Sequence, residues 1–163
     1  MLLAGCYFHG LNMAETPFYE LTVPARFENL ALIGEFIVSC ARRAGFDDKG
    51  IFNTQLACDE ACTNVMEHAY GEGEGLVHVA CTLRSNGIEI QIRDSGKPFD
   101  PNSVPLPDLD APLEEREVGG LGLHFMRSVM DDVRFEFDES GNRLTMFKRL
   151  GVSTPEVPET SEA

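Results

Sequence analysis

Val77-His78-Val79-Ala80-Cys81-Thr82-Leu83-Arg84-Ser85-Asn86-Gly87-Ile88-Glu89-Ile90-Gln91-Ile92-Arg93-Asp94 is the stretch that decides the fold. Val77, Val79, Cys81 and Leu83 fall on one side of an extended chain, and His78, Ala80 and Thr82 fall on the other. Asn86-Gly87 offers a hairpin turn with the positive φ angles that such turns use. Ile88, Ile90 and Ile92 then alternate with Glu89, Gln91 and Arg93 up to Asp94. Two antiparallel strands with one apolar face result, and that face needs a covering layer.

Upstream, Phe18 to Val23 suits a first strand closed by Pro24, a residue tolerated at strand ends and edges. Leu30, Ile33, Phe36, Ile37 and Cys40 recur at three- and four-residue steps, which predicts a helix from Phe27 to Ala44 with Gly45 as its stop. Asp47 or Asp48 caps a second helix whose apolar stripe is Phe52, Leu56, Cys58, Cys62, Val65 and Ala69. Downstream, Ser95 to Val118 holds five of the nine prolines and no periodicity, and a loop of that length inside a domain is either functional or disordered. A short helix follows Gly119-Gly120-Leu121-Gly122 and runs to about Met130. Val133, Phe135 and Phe137 alternate as a strand, Ser140-Gly141-Asn142 turns the chain, and Leu144 to Leu150 returns. The order βααββαββ predicts an α+β two-layer sandwich, its sheet mixed but mostly antiparallel, with helices on one face. The expected divisions are an N-terminal extension at 1–16, one domain at 17–150 and a disordered acidic tail at 151–163.

With 163 residues, 43% of them hydrophobic, the chain can bury one core. Thirteen basic against 27 acidic residues leave a net charge of −14, which repels nucleic acid and anionic lipid where no basic patch overrides it. The five cysteines, an odd number without paired spacing, read as reduced thiols of a cytoplasmic protein. Cys58 and Cys62 sit four apart, but the apolar stripe continues through Val65 and Ala69, so buried thiols are expected rather than metal ligands. Leu3-Ala4-Gly5-Cys6 looks like a lipoprotein cleavage box, yet it lacks the basic region and the about 7–15 apolar residues of a working signal. Translation starts at Met1 or Met13, and no apolar run reaches the ~18 residues of a membrane span.

Three segments could carry chemistry. Glu60, Asn64 and His68 are spaced by four and share one helical face. Alone, such a stripe is the ordinary solvated side of a helix, as the neighbouring Asp59 and Glu67 illustrate. Its functional reading is that an amide oxygen holds Mg²⁺, which prefers oxygen ligands, while a carboxylate one turn earlier orients or deprotonates a nucleophile. Arg93-Asp94-Ser95-Gly96 ends a strand; Asp94 there is either a simple terminator or the acceptor for an exocyclic amine such as that of adenine, with Gly96 admitting the ring. Gly119-Gly120-Leu121-Gly122 exposes backbone N–H groups at a helix N-terminus, where anions are favoured. It lacks the Lys-Ser/Thr of a Walker loop and the preceding strand of a Rossmann fingerprint.

Together these segments resemble the GHKL ATPase superfamily and, within it, the anti-sigma factor serine kinases. Asp59 to Asn64 with His68-Ala69-Tyr70 resembles that family's Asn box, and Asp94 to Pro101 its Asp-x-Gly box. Gly119 to Met126 with Asp131 resembles its glycine box, and Gly141 to Met146 its closing strand. The resemblance runs from Phe18 to Leu150 and implies ATP and Mg²⁺ as cofactors. It makes Glu60 the general base, Asn64 the Mg²⁺ ligand and Asp94 the adenine reader, with Thr145 supporting the base through its hydroxyl. Gly119, Gly120, Leu121 and Gly122 would bind phosphates by backbone, and Gly96 belongs to the base pocket. His68 either lies near the phosphates or packs locally; Lys97 and Arg116 either reach the γ-phosphate or remain solvated. Pro98 stands where some members have a second glycine, which implies a stiffer lid. The implied activity is phosphorylation of a serine on a STAS-domain anti-sigma factor antagonist, together with sequestration of a sigma factor; a homodimer also fits the family. The alternative is a nucleotide-gated binding module without phosphotransfer. The catalytic half of a histidine kinase is disfavoured, because the stretch ahead of the first helix is too short for a dimerising helical pair.

Overall fold

A computed structural model of the chain describes residues 16–70, 73–98 and 121–151. Strand β1 (Phe18–Pro24) leads through a single 3-10 turn (Phe27–Asn29) into helix α1 (Leu30–Ala44). Helix α2 (Asp48–Asn64) runs on into a π-helical segment (Val65–Ala69). Strands β2 (Leu76–Arg84) and β3 (Gly87–Asp94), helix α3 (Leu121–Val129), and strands β4 (Asp132–Asp138) and β5 (Gly141–Arg149) complete the order. The five strands lie in the order β1-β2-β3-β5-β4. All four pairings are antiparallel, so the expected mixed character is absent from the described sheet.

The helices cover one sheet face. Leu21, Val23, Val77, Val79, Cys81, Ile88, Ile90, Ile92, Leu144 and Met146 pack there against Ile33 and Ile37 of α1, Ala57, Cys58, Ala61 and Cys62 of α2, and Leu123 and Met126 of α3. Gly45 takes φ 90° and ends α1 in the left-handed conformation, while Asp47, not Asp48, caps α2 by accepting from the Gly50 N–H at 2.7 Å. The expected stripe of α2 is partly wrong. Phe52 is 60% exposed, and the inward face begins instead with Ile51, Thr54 and Ala57.

Both hairpin loops sit one residue ahead of their expected positions. Arg84 pairs with Gly87 and Asp138 with Gly141, so the loops are Ser85-Asn86 and Glu139-Ser140. Asn86 and Gly87 do not use positive φ; a Cβ on Gly87 would collide with the Lys148 carbonyl of β5. Cys58 and Cys62 are fully buried, and burial raises both thiols, Cys62 to about 12. They are neutral core residues at physiological pH.

Among the described residues no helix is long and apolar enough to cross a membrane. The segment 99–118, with Arg116 and four of the five loop prolines, lies outside the described residues, as do Gly119, Gly120, Cys6, most of the N-terminal extension and the tail beyond Gly151.

Candidate functional site

Two rows of the sheet form the floor of a pocket. Ile92, Leu144 and Phe135 face one another across β3, β5 and β4, and Asp94, Asn142 and Phe137 form the next row toward the strand ends. The roof is the end of α2 and the π segment, which contribute Ala61, Asn64, Val65, His68 and Ala69, with Met126 of α3 closing one side. Widening of the helix into π geometry begins right after Asn64, and such segments recur at functional sites. The walls are mainly apolar with a few convergent polar groups, the usual make-up of a small-molecule site.

Asp94 is the buried acid of this pocket, at 9% exposure. Its Oδ1 accepts from the Gly96 N–H at 2.9 Å and from Asn142 Nδ2 at 2.7 Å, while Oδ2 has no hydrogen-bond partner among the described residues. The turn after Asp94 is tied down on three sides. Lys97 N–H donates to the Ala69 carbonyl at 2.6 Å, and the Tyr70 hydroxyl accepts from Ser95 N–H at 2.9 Å while donating to the Leu76 carbonyl at 2.8 Å. Gly141, at φ 125°, lies against the Asp94 carbonyl on the third side. A Cβ on Gly96 would collide with Ala69, so packing against the π segment alone requires glycine here.

Asn64 and His68 both line the pocket, so the structure brings them together with Asp94, and Lys97 joins them from the turn. His68 is exposed and lies 3.5 Å from Glu67. Glu60 stands one turn before Asn64, toward α3; a Cβ on Gly122 would run into its carboxylate. A carboxylate beside the first turn of a helix is favoured by the helix dipole. Burial raises the neighbouring Asp59 carboxyl above its ordinary range, and the charge of Glu60 adds to the shift.

Thr145 is the site residue that the structure sets apart. Leu144 and Met146 face the core, so strand alternation turns Thr145 to the opposite side of the sheet, between Gln91 and Arg134. Leu144 takes the pocket position instead. Asp131 is likewise a structural tie, accepting from the Arg149 N–H at 2.8 Å. Asn142, which lines the pocket and holds Asp94, appears in the sequence only as a turn residue at the start of the closing strand, with no site role of its own. Its signal was there: counting strand alternation back from Leu144 puts Asn142 on the inward face. Among the described residues no cluster of three His, Cys, Asp or Glu side chains could hold a metal.

The sequence profile of the histidine kinase-like ATPase domain matches residues 23–148. Over 124 residues the chain is 35% identical to the serine-protein kinase RsbW of Bacillus thuringiensis and to that of Bacillus anthracis, covering 74% of this chain and 78% of each relative. The chain belongs to the histidine kinase-like ATPase family, in its RsbW branch. A solved structure of the RsbU and RsbW domains of a Mycobacterium tuberculosis protein superimposes with a TM-score of 0.61 at 19% identity, covering 84% of this chain and 33% of that one. At that identity the likeness speaks for the fold: the RsbW-type sandwich of an open antiparallel sheet and three helices, all on one side.

Proposed function

We propose that this chain is an ATP-dependent protein-serine kinase and anti-sigma factor that phosphorylates a STAS-domain anti-sigma factor antagonist and, when not so engaged, sequesters a sigma factor in the cytoplasm. The observation that carries the reading is a buried Asp94, whose Oδ2 has no hydrogen-bond partner among the described residues, at the floor of an apolar pocket whose roof carries Asn64, in a chain 35% identical to RsbW kinases. A carboxylate oxygen only accepts, so it suits the exocyclic amine of adenine and opposes the O6 acceptor of guanine. Ile92, Leu144 and Met126 supply the apolar surface for the ring.

Phosphoryl transfer rests mainly on positioning and charge stabilisation. Glu60 accepts the proton of the substrate serine hydroxyl, the oxygen bonds to the γ-phosphorus, the bond to the β–γ bridging oxygen breaks, and ADP leaves. Gly122, in the first turn of α3, would offer its backbone N–H to the phosphates. Mg²⁺, held by the Asn64 amide oxygen together with phosphate oxygens and water, would neutralise charge on the phosphates, a coordination in keeping with the few protein ligands this ion takes. His68 and Lys97 line the same pocket, from which a hydrogen-bond donor could reach a bound nucleotide.

Incubation with γ-labelled ATP, Mg²⁺ and a STAS protein encoded beside this chain tests the assignment. Label should appear on a serine of that protein and not when GTP replaces ATP. ATP binding with no transfer to any such partner would instead identify a nucleotide-gated binding module.

A further inference from the structure

We propose that Asn142 is the positioning residue for base recognition: its side-chain amide sets the plane of the Asp94 carboxylate and so determines the preference for adenine over guanine. The inference rests on the reading of Asp94 as the adenine acceptor. Asn142 stands directly opposite Asp94 across the β3–β5 pair. Its Nδ2 donates to Asp94 Oδ1 at 2.7 Å and also lies 3.1 Å from the Lys97 carbonyl and 3.3 Å from the Gly96 carbonyl. All three neighbours are acceptors, so the nitrogen of the amide must be the atom that faces them.

The consequence for Asp94 is geometric. With Gly96 N–H and Asn142 Nδ2 both on Oδ1, that oxygen is fixed from two directions, and among the described residues nothing bonds to Oδ2, the oxygen proposed to meet the ligand. A neutral amide is also the suitable donor. Lysine or arginine at this position would pair with Asp94 and weaken it as an acceptor, whereas aspartate would make two carboxylates compete for one proton. The same amide nitrogen meets the backbone of the turn at residues 96 and 97, so one side chain orients both the acceptor and the segment bearing Lys97. Phe137 is the next residue in the row; it lines the same pocket and is 42% exposed, which leaves its ring available to the base.

The test is calorimetric titration of ATP and of GTP, both with Mg²⁺, with thermal denaturation of the same proteins. Asp94→Asn should weaken ATP by about ten- to a hundredfold, the usual cost of a lost charge-assisted hydrogen bond. Asn142→Ala should weaken ATP by about tenfold and narrow the ATP-to-GTP ratio by a similar factor, while GTP affinity stays nearly constant. Should that variant not fold, Asn142→Ser gives the same readout. The double variant Asp94→Asn/Asn142→Asp re-forms the cross-strand hydrogen bond with its polarity reversed but sets a carboxylate against the Gly96 and Lys97 carbonyls; it should recover neither the full melting temperature nor the ratio. An unchanged ratio in Asn142→Ala, or a ratio restored in the double variant, overturns the positioning role. If Asp94→Asn itself leaves the ratio unchanged, the adenine reading fails first and the inference falls with it.

Discussion

At one end of the pocket Asp94 and the turn behind it are held by Asn142, Tyr70, Ala69 and Gly141; at the other, Glu60 meets Gly122 without a hydrogen bond or ion pair among the described residues. The end proposed for the base is shaped by contacts within the protein itself. At the end proposed for the phosphates, the Glu60 carboxylate stands beside Gly122 of α3, with no hydrogen bond or ion pair among the described residues. Preorganisation at the base end lowers the ordering cost of binding. A carboxylate at the other end suits the proposed role of accepting and releasing a proton. Binding strength and turnover should therefore be separable by mutation.

The sharpest separation is expected from Glu60→Gln, which keeps size and hydrogen bonding but removes the proton acceptor. Transfer to the STAS partner should fall by about 10²–10⁴, the usual share of general-base catalysis, while ATP affinity by calorimetry stays within a small factor of wild type. Equal transfer rates for the two proteins would remove Glu60 from the mechanism. The reverse result belongs to Gly141→Ala, which strikes the braced end. The positive φ of 125° and the close Asp94 carbonyl should together cost about 1–3 kcal/mol or more, seen as an earlier denaturant midpoint with weaker ATP binding. A stable variant with normal affinity would mean that the strand end tolerates a shift of Asp94. Tyr70→Phe probes the same brace more gently. Removing the hydroxyl that bridges Ser95 and Leu76 should lower stability by about 1 kcal/mol and leave single-turnover transfer at saturating ATP unchanged. A loss of transfer there would show that the two ends are coupled through the turn.

How far the sequence reveals all this varies from residue to residue. Ile88, Ile90 and Ile92 declare their inward face through simple alternation, and Asp94 continues it, so the acid at the end of β3 was legible together with its orientation. The first helix was legible down to Gly45, because a three- and four-residue stripe and a left-handed stop both act locally. Thr145 was misplaced because the motif resemblance was followed over the alternation of Leu144 and Met146, which points the hydroxyl away from the pocket. Phe52 was misread because a large apolar side chain weighs heavily in a helical stripe, whereas the true inward face of α2 consists of small residues packed close to α1 and the sheet. Asn142 could not be paired with Asp94, nor Tyr70 with Ser95, from sequence; the partners lie 48 and 25 positions apart and meet only through strand order and the π segment.

Strand order also bears on how the molecule comes to exist. β2–β3 and β4–β5 are hairpins closed by two-residue loops, so each can form from neighbouring chain, while the β3–β5 pairing joins residues as far apart as Asp94 and Asn142 and must close a long loop first. The seam between the two hairpins is thus, like the β1–β2 pairing, a non-local joint, and it runs through the floor of the pocket. A slip of one residue along that seam would turn Asp94 or Asn142 to the far side of the sheet. A nucleotide bound across both strands, as proposed, would favour the chain docked in register and would add its binding free energy to the stability of that joint.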